Sequence, residues 1–440
     1  MRIETRTRSN GDALQAAIAG LTDERLLANI PAPLAVAFSG GGDSLALLLM
    51  TKAWADLNGR RLVALTVDHR LRPEGADWAL RCRRRAEALG IEHHTLVWEG
   101  PKPETGLSAA ARRARHALLA EAARRAGARV ILMGHTADDL AEARAMREEG
   151  STVPSPRLWS PSPAWPEGRG LFLLRPLLTA RRAELRDLLA AWGEVWIDDP
   201  ANIDPSSARA RARRALSREI TAEGAPDARL AVTGAQGALS GVVEGAAADL
   251  RLPAGWLGAS ADAHADLSAV LICAAGAERP PRREALTRLL DRIRSGEAFI
   301  ATLAGARVVF DGATIHVVRD TSDRRRGPPA DVELPTKQTI VWDGRFTLHA
   351  GAPGIRVGHL AGRAARLPSP LRAAVLETPA AARPALPLVI HPDGRLGCPT
   401  IRQSPEIEIR AITLERLTAA RGMIMDEAAL WRMAKARHPS

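Results

Sequence analysis

Short apolar runs alternate with segments of helical periodicity between residues 34 and 134. Four runs have the length and composition of buried strands, and they lie at Val36, 62–67, 91–97 and 130–133. Three segments between them repeat apolar residues every three or four positions, at 43–57, 75–89 and 107–126. This alternation predicts an α/β domain with a parallel sheet covered by helices, whose ligands bind at the carboxyl ends of the strands.

The pattern is less regular after residue 150. A stretch rich in Pro, Ser and Trp at 150–170 has no clear period and predicts a loop or linker. Helical patterns follow at 179–192 and at 208–220, and the second of them is rich in arginine. We therefore expect the first domain to end shortly after this second helix.

The last part of the chain predicts smaller domains. A helix at 282–293 precedes a hairpin that turns at Asp311-Gly312, and an Arg- and Pro-rich run at 322–329 predicts a linker. β-like segments between Gly and Pro turns then lead to a terminal helix. The predicted domains are 1–224, 225–325 and 326–440.

The most informative local motif is Ser39-Gly40-Gly41-Gly42-Asp43-Ser44. A buried strand that turns into glycines and hydroxyls before a helix leaves backbone N–H groups aimed at an anion. Neither the Gly-Lys-Ser of a Walker loop nor the later glycine of a Rossmann fingerprint is present. The motif predicts a phosphate-binding loop, and the alternative from the pattern alone is an ordinary glycine turn.

Two polar pairs follow predicted strands. Asp68 and His69 end the second strand, and Gly134 and His135 come directly after the fourth. These strands end at the same edge of the predicted sheet as the phosphate loop, so we expect the four residues to frame a nucleotide. A structural strand-end cap is the alternative for Asp68 and His69.

An acidic cluster opens the helix that follows. If that helix begins near Thr136, Asp138 and Glu142 lie four residues apart on one face, with Asp139 three residues before Glu142. Three carboxylates in this position suit a magnesium ion or the acceptance of protons. The helix dipole by itself also favours an acidic first turn.

Two arginine-rich helices provide candidate phosphate contacts. Arg112 and Arg115 share one helical face with His116. The second run comprises Arg209, Arg211, Arg213 and Arg214. Guanidinium groups bind phosphates bidentately, which favours contacts with nucleotide or nucleic acid, but a solvated basic face explains either run equally well.

Composition narrows the class of protein. The 440 residues carry a formal net charge of +11, which favours a polyanionic partner. A high-GC genome rich in Arg and Ala codons would also raise the net charge, without any function. Three widely separated cysteines, Cys82, Cys273 and Cys398, exclude a disulfide framework within the chain and a Cys-x-x-Cys pair. No apolar run has the length of a membrane span, and the N-terminus has no signal core, so we expect a cytoplasmic protein without a membrane partner.

Taken in order, the motifs resemble those of the tRNA(Ile)-lysidine synthetase family, which belongs to the PP-loop ATP pyrophosphatases. The segments that carry the resemblance are 39–44, 67–72, the arginine helix at 107–116, 134–142, 174–177 and 196–202. The resemblance implies a PP-loop, adenine nucleotide α-hydrolase-like domain followed by smaller α and β-rich domains. The chain departs from the family at Leu140, Ala143 and Ala201, where Gln, Thr and Ser are usual.

The resemblance also implies a two-step reaction. The 2-carbonyl oxygen of the wobble cytosine in a CAU-anticodon isoleucine tRNA attacks the α-phosphate of ATP, which releases pyrophosphate. The ε-amine of free L-lysine then displaces AMP from the base.

The implied roles are shared among the motif residues. Nucleotide binding falls to Ser39, Gly40, Gly41, Gly42, Asp43, Ser44, Asp68, His69, Gly134 and His135. Catalysis falls to Asp43, Arg112, Asp138, Asp139 and Glu142, with Mg²⁺ at Asp43 and Asp138. Contacts with tRNA fall to Arg115, Arg209, Arg211 and Arg213.

Two other functions stay open on the sequence. A PP-loop tRNA thiolase also adenylates a base, but it needs a sulfur carrier, and the three cysteines provide no Cys-x-x-Cys motif. A basic RNA-binding protein with a vestigial nucleotide loop has no need for carboxylates beside that loop, because they repel RNA. The sequence also leaves a homodimer open.

Overall fold

The computed structural model describes residues 12, 14–16, 18–149, 155–198, 211–213, 216, 239–258, 262–322 and 331–435. The chain forms two compact units, one of residues 1–233 together with 424–440 and the other of residues 234–423. The boundaries expected after 224 and 325 lie outside the described residues, so the three-domain division stays a prediction.

A six-stranded sheet forms the centre of the first unit. Its strands are β1 (Leu34–Ala37), β2 (Leu62–Asp68), β3 (Glu92–Val97), β4 (Val130–Met133), β5 (Trp159–Pro161) and β6 (Phe172–Leu174). They lie in the order β3-β2-β1-β4-β6-β5, and every pair except β5 and β6 is parallel. The four predicted strands and the parallel sheet are confirmed, and an antiparallel edge strand is added.

That edge strand corrects the loop predicted at 150–170. Trp159–Pro161 pairs with Phe172–Leu174, and the rings of Trp159 and Phe172 stack with centroids 5.1 Å apart. A strand of three residues is too short to show alternation, so only its pairing partner identifies it. Residues 150–154 lie outside the described part of the chain.

Helices cover both faces of the sheet. The helices of this unit are α1 (Gly42–Leu57), α2 (Gly75–Ala88), α3 (Leu107–Arg125), α4 (Ala137–Glu148) and α5 (Arg182–Ala191). A 3₁₀ turn at Pro176–Thr179 precedes α5, so the helix begins three residues later than predicted. Most of the helix predicted at 208–220 lies outside the described residues. No helix in the described ranges is long and apolar enough to cross a membrane.

Every residue of β4 and most of β1 and β2 are buried. Ala35, Leu65 and Ile131 pack with Leu119 and Ala123 of α3 in one hydrophobic cluster. The alternate residues of these strands are buried as well, as a parallel sheet covered on both faces requires. Polar residues follow the carboxyl ends of β1, β2 and β4, which lie at one edge of this buried sheet.

The second unit contains two antiparallel regions. The first has a sheet of β7 (Val243–Glu244), β8 (Leu250–Pro253), β9 (Phe299–Leu303), β10 (Ala306–Phe310) and β11 (Thr314–Arg319), with helices α6 (Gly255–Gly258), α7 (Ala263–Ala274) and α8 (Arg283–Arg294). The predicted hairpin is confirmed by the pairing of β10 with β11. The predicted helix at 282–293 is confirmed one residue later, because Arg282 is its N-cap.

The other region is the β-rich segment expected near the C-terminus. Its strands are β12 (Val332–Glu333), β13 (Ile340–Trp342), β14 (Phe346–Ala350), β15 (Arg356–His359), β16 (Pro387–Ile390), β17 (Leu396–Gly397) and β18 (Ile407–Ala411). They form sheets of four and three strands, accompanied by α9 (Ser369–Leu376) and α10 (Thr413–Ala420).

The terminal helix α11 (Glu427–Lys435) belongs with the first unit, although the sequence places it in the last predicted domain. Its first residue, Glu427, forms a fully buried ion pair with Arg60, at 2.9 Å between Oε2 and Nη1. The same oxygen accepts a hydrogen bond from the backbone N–H of Leu27 at 2.9 Å. These contacts join residues far apart in the sequence, which local patterns do not reveal.

Candidate functional site

A cavity of about 540 Å³ opens at the carboxyl ends of β1, β2 and β4. Residues from the phosphate loop, from the end of β2 and from the start of α4 contribute to its wall. The motif residues that line it are Ser39, Gly41, Gly42, Asp43, Ser44, Asp68, His69, Gly134, His135 and Asp139. The sequence-based prediction that these segments meet at one edge of the sheet is confirmed.

The phosphate loop is held by its two serine hydroxyls. Ser44 Oγ donates to the carbonyl of Gly41 at 2.9 Å and accepts from the backbone N–H of Ser39 at 3.2 Å. Because Ser44 has used its own proton, the Ser39 hydroxyl donates in the 3.1 Å contact between the two Oγ atoms. No side chain caps α1 at its N-cap residue Gly41, so the first N–H groups of this helix remain available to an anion.

Two glycines allow the loop to pack closely. Gly40 has φ +80°, and a Cβ there would lie 2.6 Å from Ile197 Cδ1 and 2.8 Å from Cys82 Sγ. A Cβ on Gly134 would lie 3.1 Å from the backbone oxygen of Asp43. The backbone N–H of Ile197 also donates to the carbonyl of Gly40 at 2.9 Å. The loop is thus fixed by backbone contacts that a larger residue at either glycine would push apart.

The acidic helix α4 begins where the sequence predicts. Thr136 and Asp139 form a capping box, in which Asp139 Oδ2 accepts from the Thr136 backbone N–H at 2.9 Å. Glu142 is one turn further on, and its side chain is 1% exposed. Asp138 Oδ2 accepts from the backbone N–H of Arg182 at 2.8 Å, which ties α4 to the start of α5.

Arg182 connects the acidic helix to the phosphate loop, and sequence reasoning missed it. Its guanidinium lies 3.0 Å from Asp43 Oδ2, 3.2 Å from Glu142 Oε1 and 3.7 Å from Asp139 Oδ2. Burial lowers the pKa of Arg182, but the carboxylates, with Asp43 foremost, outweigh it and raise that pKa above its usual value. The only sequence signal was an arginine at the start of the predicted helix at 179–192.

Burial raises the pKa of Asp43, while the positive charge of Arg182 and its hydrogen bond oppose that rise. The nearby charge of Asp139 raises the pKa further. Arg182 therefore stabilises the charged form of the Asp43 carboxyl against the effect of burial.

The end of β2 forms a tight turn beside the cavity. Asp68 Oδ1 accepts from the backbone N–H of Arg70 at 2.8 Å, and Arg70 has φ +49°. His69 lies edge-on to Trp98, with ring centroids 6.0 Å apart. Burial and the charge of Arg115 lower the pKa of His69, which lies in the wall of the cavity. Asp68 combines a structural turn contact with a place in the wall.

The two candidate arginines of α3, Arg112 and Arg115, lie in different surroundings. Arg115, which the sequence assigns to tRNA, lines the cavity. Arg112, which the sequence assigns to catalysis, acts electrostatically on Arg175 and His116, which are both buried. Burial and the charges of Arg112, Arg157 and Arg115 lower the pKa of Arg175 to about 9.

Arg175 also supports a residue of the cavity wall. Its Nε donates to His135 Nδ1 at 3.3 Å, and its Nη1 donates to the carbonyl of Arg157 at 2.7 Å. Because His135 accepts at Nδ1, the proton of the neutral ring resides on Nε2. A buried arginine thereby sets the tautomer of the histidine predicted to bind nucleotide.

The second basic run is only partly described. Arg213 Nε donates to Glu142 Oε1 at 2.8 Å, and Arg213 lines the cavity. Arg211 is exposed, whereas Arg209 and Arg214 lie outside the described residues. Arg213 is thus placed among the carboxylates, and the predicted contacts of this run with tRNA stay predictions.

The predicted magnesium ligands do not form a ready-made cage. Across the described ranges, no group of three or more His, Cys, Asp or Glu residues is arranged to hold a metal ion. Asp43 and Asp138 both bond to Arg182, the first through the guanidinium and the second through the backbone. Their oxygens are nonetheless the hard donors that Mg²⁺ prefers, and this ion commonly binds one or two carboxylates together with substrate phosphates. The residues fit an ion that arrives with a nucleotide.

Comparison with known proteins supports this description. A family model described as a PP-loop domain matches residues 17–220, which contain the sheet and the cavity. A tRNA(Ile)-lysidine synthase of Caulobacter vibrioides is 46% identical over 426 residues, covering 95% of this chain and 99% of that protein. Another of Hyphomonas neptunium is 42% identical over 313 residues, covering 67% and 83%. A solved U34-tRNA thiolase of Methanococcus maripaludis aligns with TM-score 0.40 and 17% identity over 48% of this chain and 72% of its own, too distant a likeness to argue from.

Proposed function

This chain belongs to the tRNA(Ile)-lysidine synthase family, and we propose that it uses ATP to join L-lysine to the wobble cytidine of a CAU-anticodon isoleucine tRNA. One observation carries the proposal. The phosphate loop and the acidic helix α4, far apart in the sequence, contribute to the same cavity and are joined by Arg182. A nucleotide and an amine can therefore react in one place.

The first step is activation of the cytosine. Its 2-carbonyl oxygen forms a bond to the α-phosphorus of ATP while the bond to pyrophosphate breaks, and pyrophosphate leaves. We assign the phosphates to the first N–H groups of α1, which no side chain of the N-cap residue caps and which would stabilise the charge that develops on the leaving group. Ser39 and Ser44 keep the loop in this shape through their mutual hydrogen bonds.

Mg²⁺ is part of this proposal. Asp43 and Asp138 would hold it together with phosphate oxygens of ATP, since this ion commonly binds one or two carboxylates together with substrate phosphates. A bound Mg²⁺ supplies neutralisation of the charge on the departing pyrophosphate.

The second step is displacement of AMP by lysine. The ε-amine nitrogen forms a bond to C2 of the cytosine while the bond from C2 to the AMP oxygen breaks. With an ordinary pKa near 10.4, only about one lysine amine in a few thousand is neutral at pH 7, so the reaction needs a proton acceptor. We assign that role to the carboxylates of α4, among which Glu142 is buried and Asp139 lines the cavity.

We assign tRNA binding to the arginine-rich surfaces. The outer face of α8 carries Arg283, Arg288 and Arg292, which are exposed, while Leu286 and Leu290 of the same helix are buried. Such a face suits the phosphate backbone of an RNA, and the net charge of +11 favours the same kind of partner.

Labelled lysine tests the proposed function. The purified chain is incubated with ATP, Mg²⁺, labelled lysine and a CAU-anticodon isoleucine tRNA transcript, and label in RNA and AMP release are measured. We expect incorporation that requires every component. A transcript with uridine at the wobble position is the matched control, and it should accept no lysine.

The rival functions predict other outcomes. ATP consumption with adenylated RNA but no lysine transfer would support a thiolase-like enzyme. RNA binding without ATP turnover would support a binding protein with a vestigial loop. Either result would contradict the proposed function.

A further inference from the structure

Arg182 is placed between groups that the reaction uses in different steps. Its guanidinium contacts Asp43 at the phosphate loop and both Asp139 and Glu142 on α4. Its side chain is 14% exposed, and it lines the cavity. A planar fork with five N–H donors can bond to carboxylates on two elements at once.

The carboxylates differ in their other contacts. Asp139 is also fixed by the backbone N–H and the hydroxyl of Thr136, at 2.9 and 3.1 Å. Glu142 also accepts from Arg213 at 2.8 Å. For Asp43, the salt bridge found among the described residues is with Arg182. Arg182 is therefore the contact that holds the carboxylate of the loop beside the carboxylates of α4.

We propose that Arg182 is a positioning residue for lysine transfer, an inference that rests on the proposed function. It holds Asp43 and Glu142 at a fixed separation, so that the lysine amine and the adenylated base meet in the correct geometry. It also supplies positive charge to the phosphate loop, where two neighbouring carboxylates would otherwise repel ATP.

These two contributions depend on different properties of the side chain. Attraction of ATP needs only a positive charge near the loop, which lysine also provides. Bridging needs the fork, because one ammonium group on a flexible stem cannot reproduce the two directed hydrogen bonds to Asp43 and Glu142, which lie on two elements. The bond from the backbone N–H of residue 182 to Asp138 stays in every variant, so the start of α5 keeps its anchor.

The test compares Arg182→Gln and Arg182→Lys with the wild type. Arg144→Gln is the control, since Arg144 is an exposed arginine of α4 that pairs with Glu148 at 3.1 Å. Calorimetry measures ATP affinity in the presence of EDTA, and the labelled-lysine assay measures kcat and the KM for lysine. Thermal unfolding of each variant reports on folding.

We expect Arg182→Gln to weaken ATP binding by about tenfold and to lower kcat for lysine transfer by about a hundredfold. Arg182→Lys should bind ATP within about twofold of the wild type yet transfer lysine at least about tenfold more slowly. Arg144→Gln should match the wild type in both measurements.

Three results would overturn the proposal. They are full lysine transfer by Arg182→Lys, unchanged transfer by Arg182→Gln, and equal losses in both variants accompanied by a lower unfolding temperature. If the wild type itself transfers no lysine, the proposed function fails. Arg182 is then judged by ATP binding, where equal affinities for wild type and Arg182→Gln would refute its contribution.

Discussion

At the scale of single residues, Asp43 is the group on which the account depends most. It lies in the first turn of α1, lines the cavity and pairs with Arg182 at 3.0 Å. Its negative charge next to a phosphate-binding loop serves a nucleotide only if a cation is shared between them. A protein that simply bound RNA would gain nothing from this carboxylate.

Asp43→Asn keeps the size of the side chain and removes its charge. We expect kcat for lysine transfer to fall by about 10²–10⁴, because the neutral Asn binds Mg²⁺ poorly and cannot form an ion pair with Arg182. RNA binding, measured by filter retention, should change little.

Asp56→Asn is the matched control for that variant. Asp56 lies on the same helix, is exposed and pairs with Lys52. It should retain full activity. A wild-type rate in Asp43→Asn would remove the phosphate loop from the mechanism.

Sequence reasoning located the phosphate loop and the start of α4 because each comes shortly after a strand of the parallel sheet, and the ends of such strands share one edge. It did not find Arg182 or Ile197. Both residues contact the phosphate loop, but they lie more than a hundred residues after it in the sequence. It also assigned Arg112 and Arg115 from a helical face, whereas the structure places only Arg115 among the residues described as lining the cavity.

At the scale of elements, segments with a clear apolar pattern were predicted well, whereas strands of only three residues were not. α3 and β4 occur where their apolar patterns placed them. β5 and β6 have three residues each, which is too few for a pattern, and they are identified by their pairing, β6 with β4 and β5 with β6. The sequence pattern also did not predict the docking of α11, because Glu427 and its partner Arg60 lie 367 residues apart in the chain.

The docking of α11 leads to a stability prediction. Glu427→Gln leaves the Arg60 guanidinium buried without a counter-charge, which should lower the free energy of unfolding by about 3 kcal/mol. Urea unfolding followed by tryptophan fluorescence measures this change. Glu87→Gln, which breaks the exposed pair with Arg83, should cost less than about 0.5 kcal/mol. Equal unfolding midpoints for the two variants would show that the Arg60 pair does not hold α11 in place.

At the scale of the whole molecule, the chain leaves the first unit, forms the second and returns to the first with α11. The chain therefore connects the second unit to the first at both of its ends. Its exposed arginines and the net charge of +11 make RNA the expected partner, and such binding releases counterions.

Binding of the tRNA should depend strongly on salt. We expect the affinity to fall by about tenfold or more between 50 and 200 mM salt, with a linear plot of log affinity against log salt. Arg288→Gln should reduce the slope by about one if Arg288 contacts a phosphate. Fluorescence anisotropy with a labelled transcript measures both. A salt-independent affinity would contradict an electrostatic tRNA surface.

The most direct test of the central claim is to separate the two chemical steps in the one cavity. The wild-type chain is incubated with α-phosphate-labelled ATP, Mg²⁺ and the isoleucine tRNA transcript, first without lysine and then with it. We expect RNA that carries labelled AMP before lysine is added, and discharge of that AMP as lysine enters the RNA. Lysine incorporation without any AMP-labelled RNA, or AMP-labelled RNA that lysine does not discharge, would contradict it.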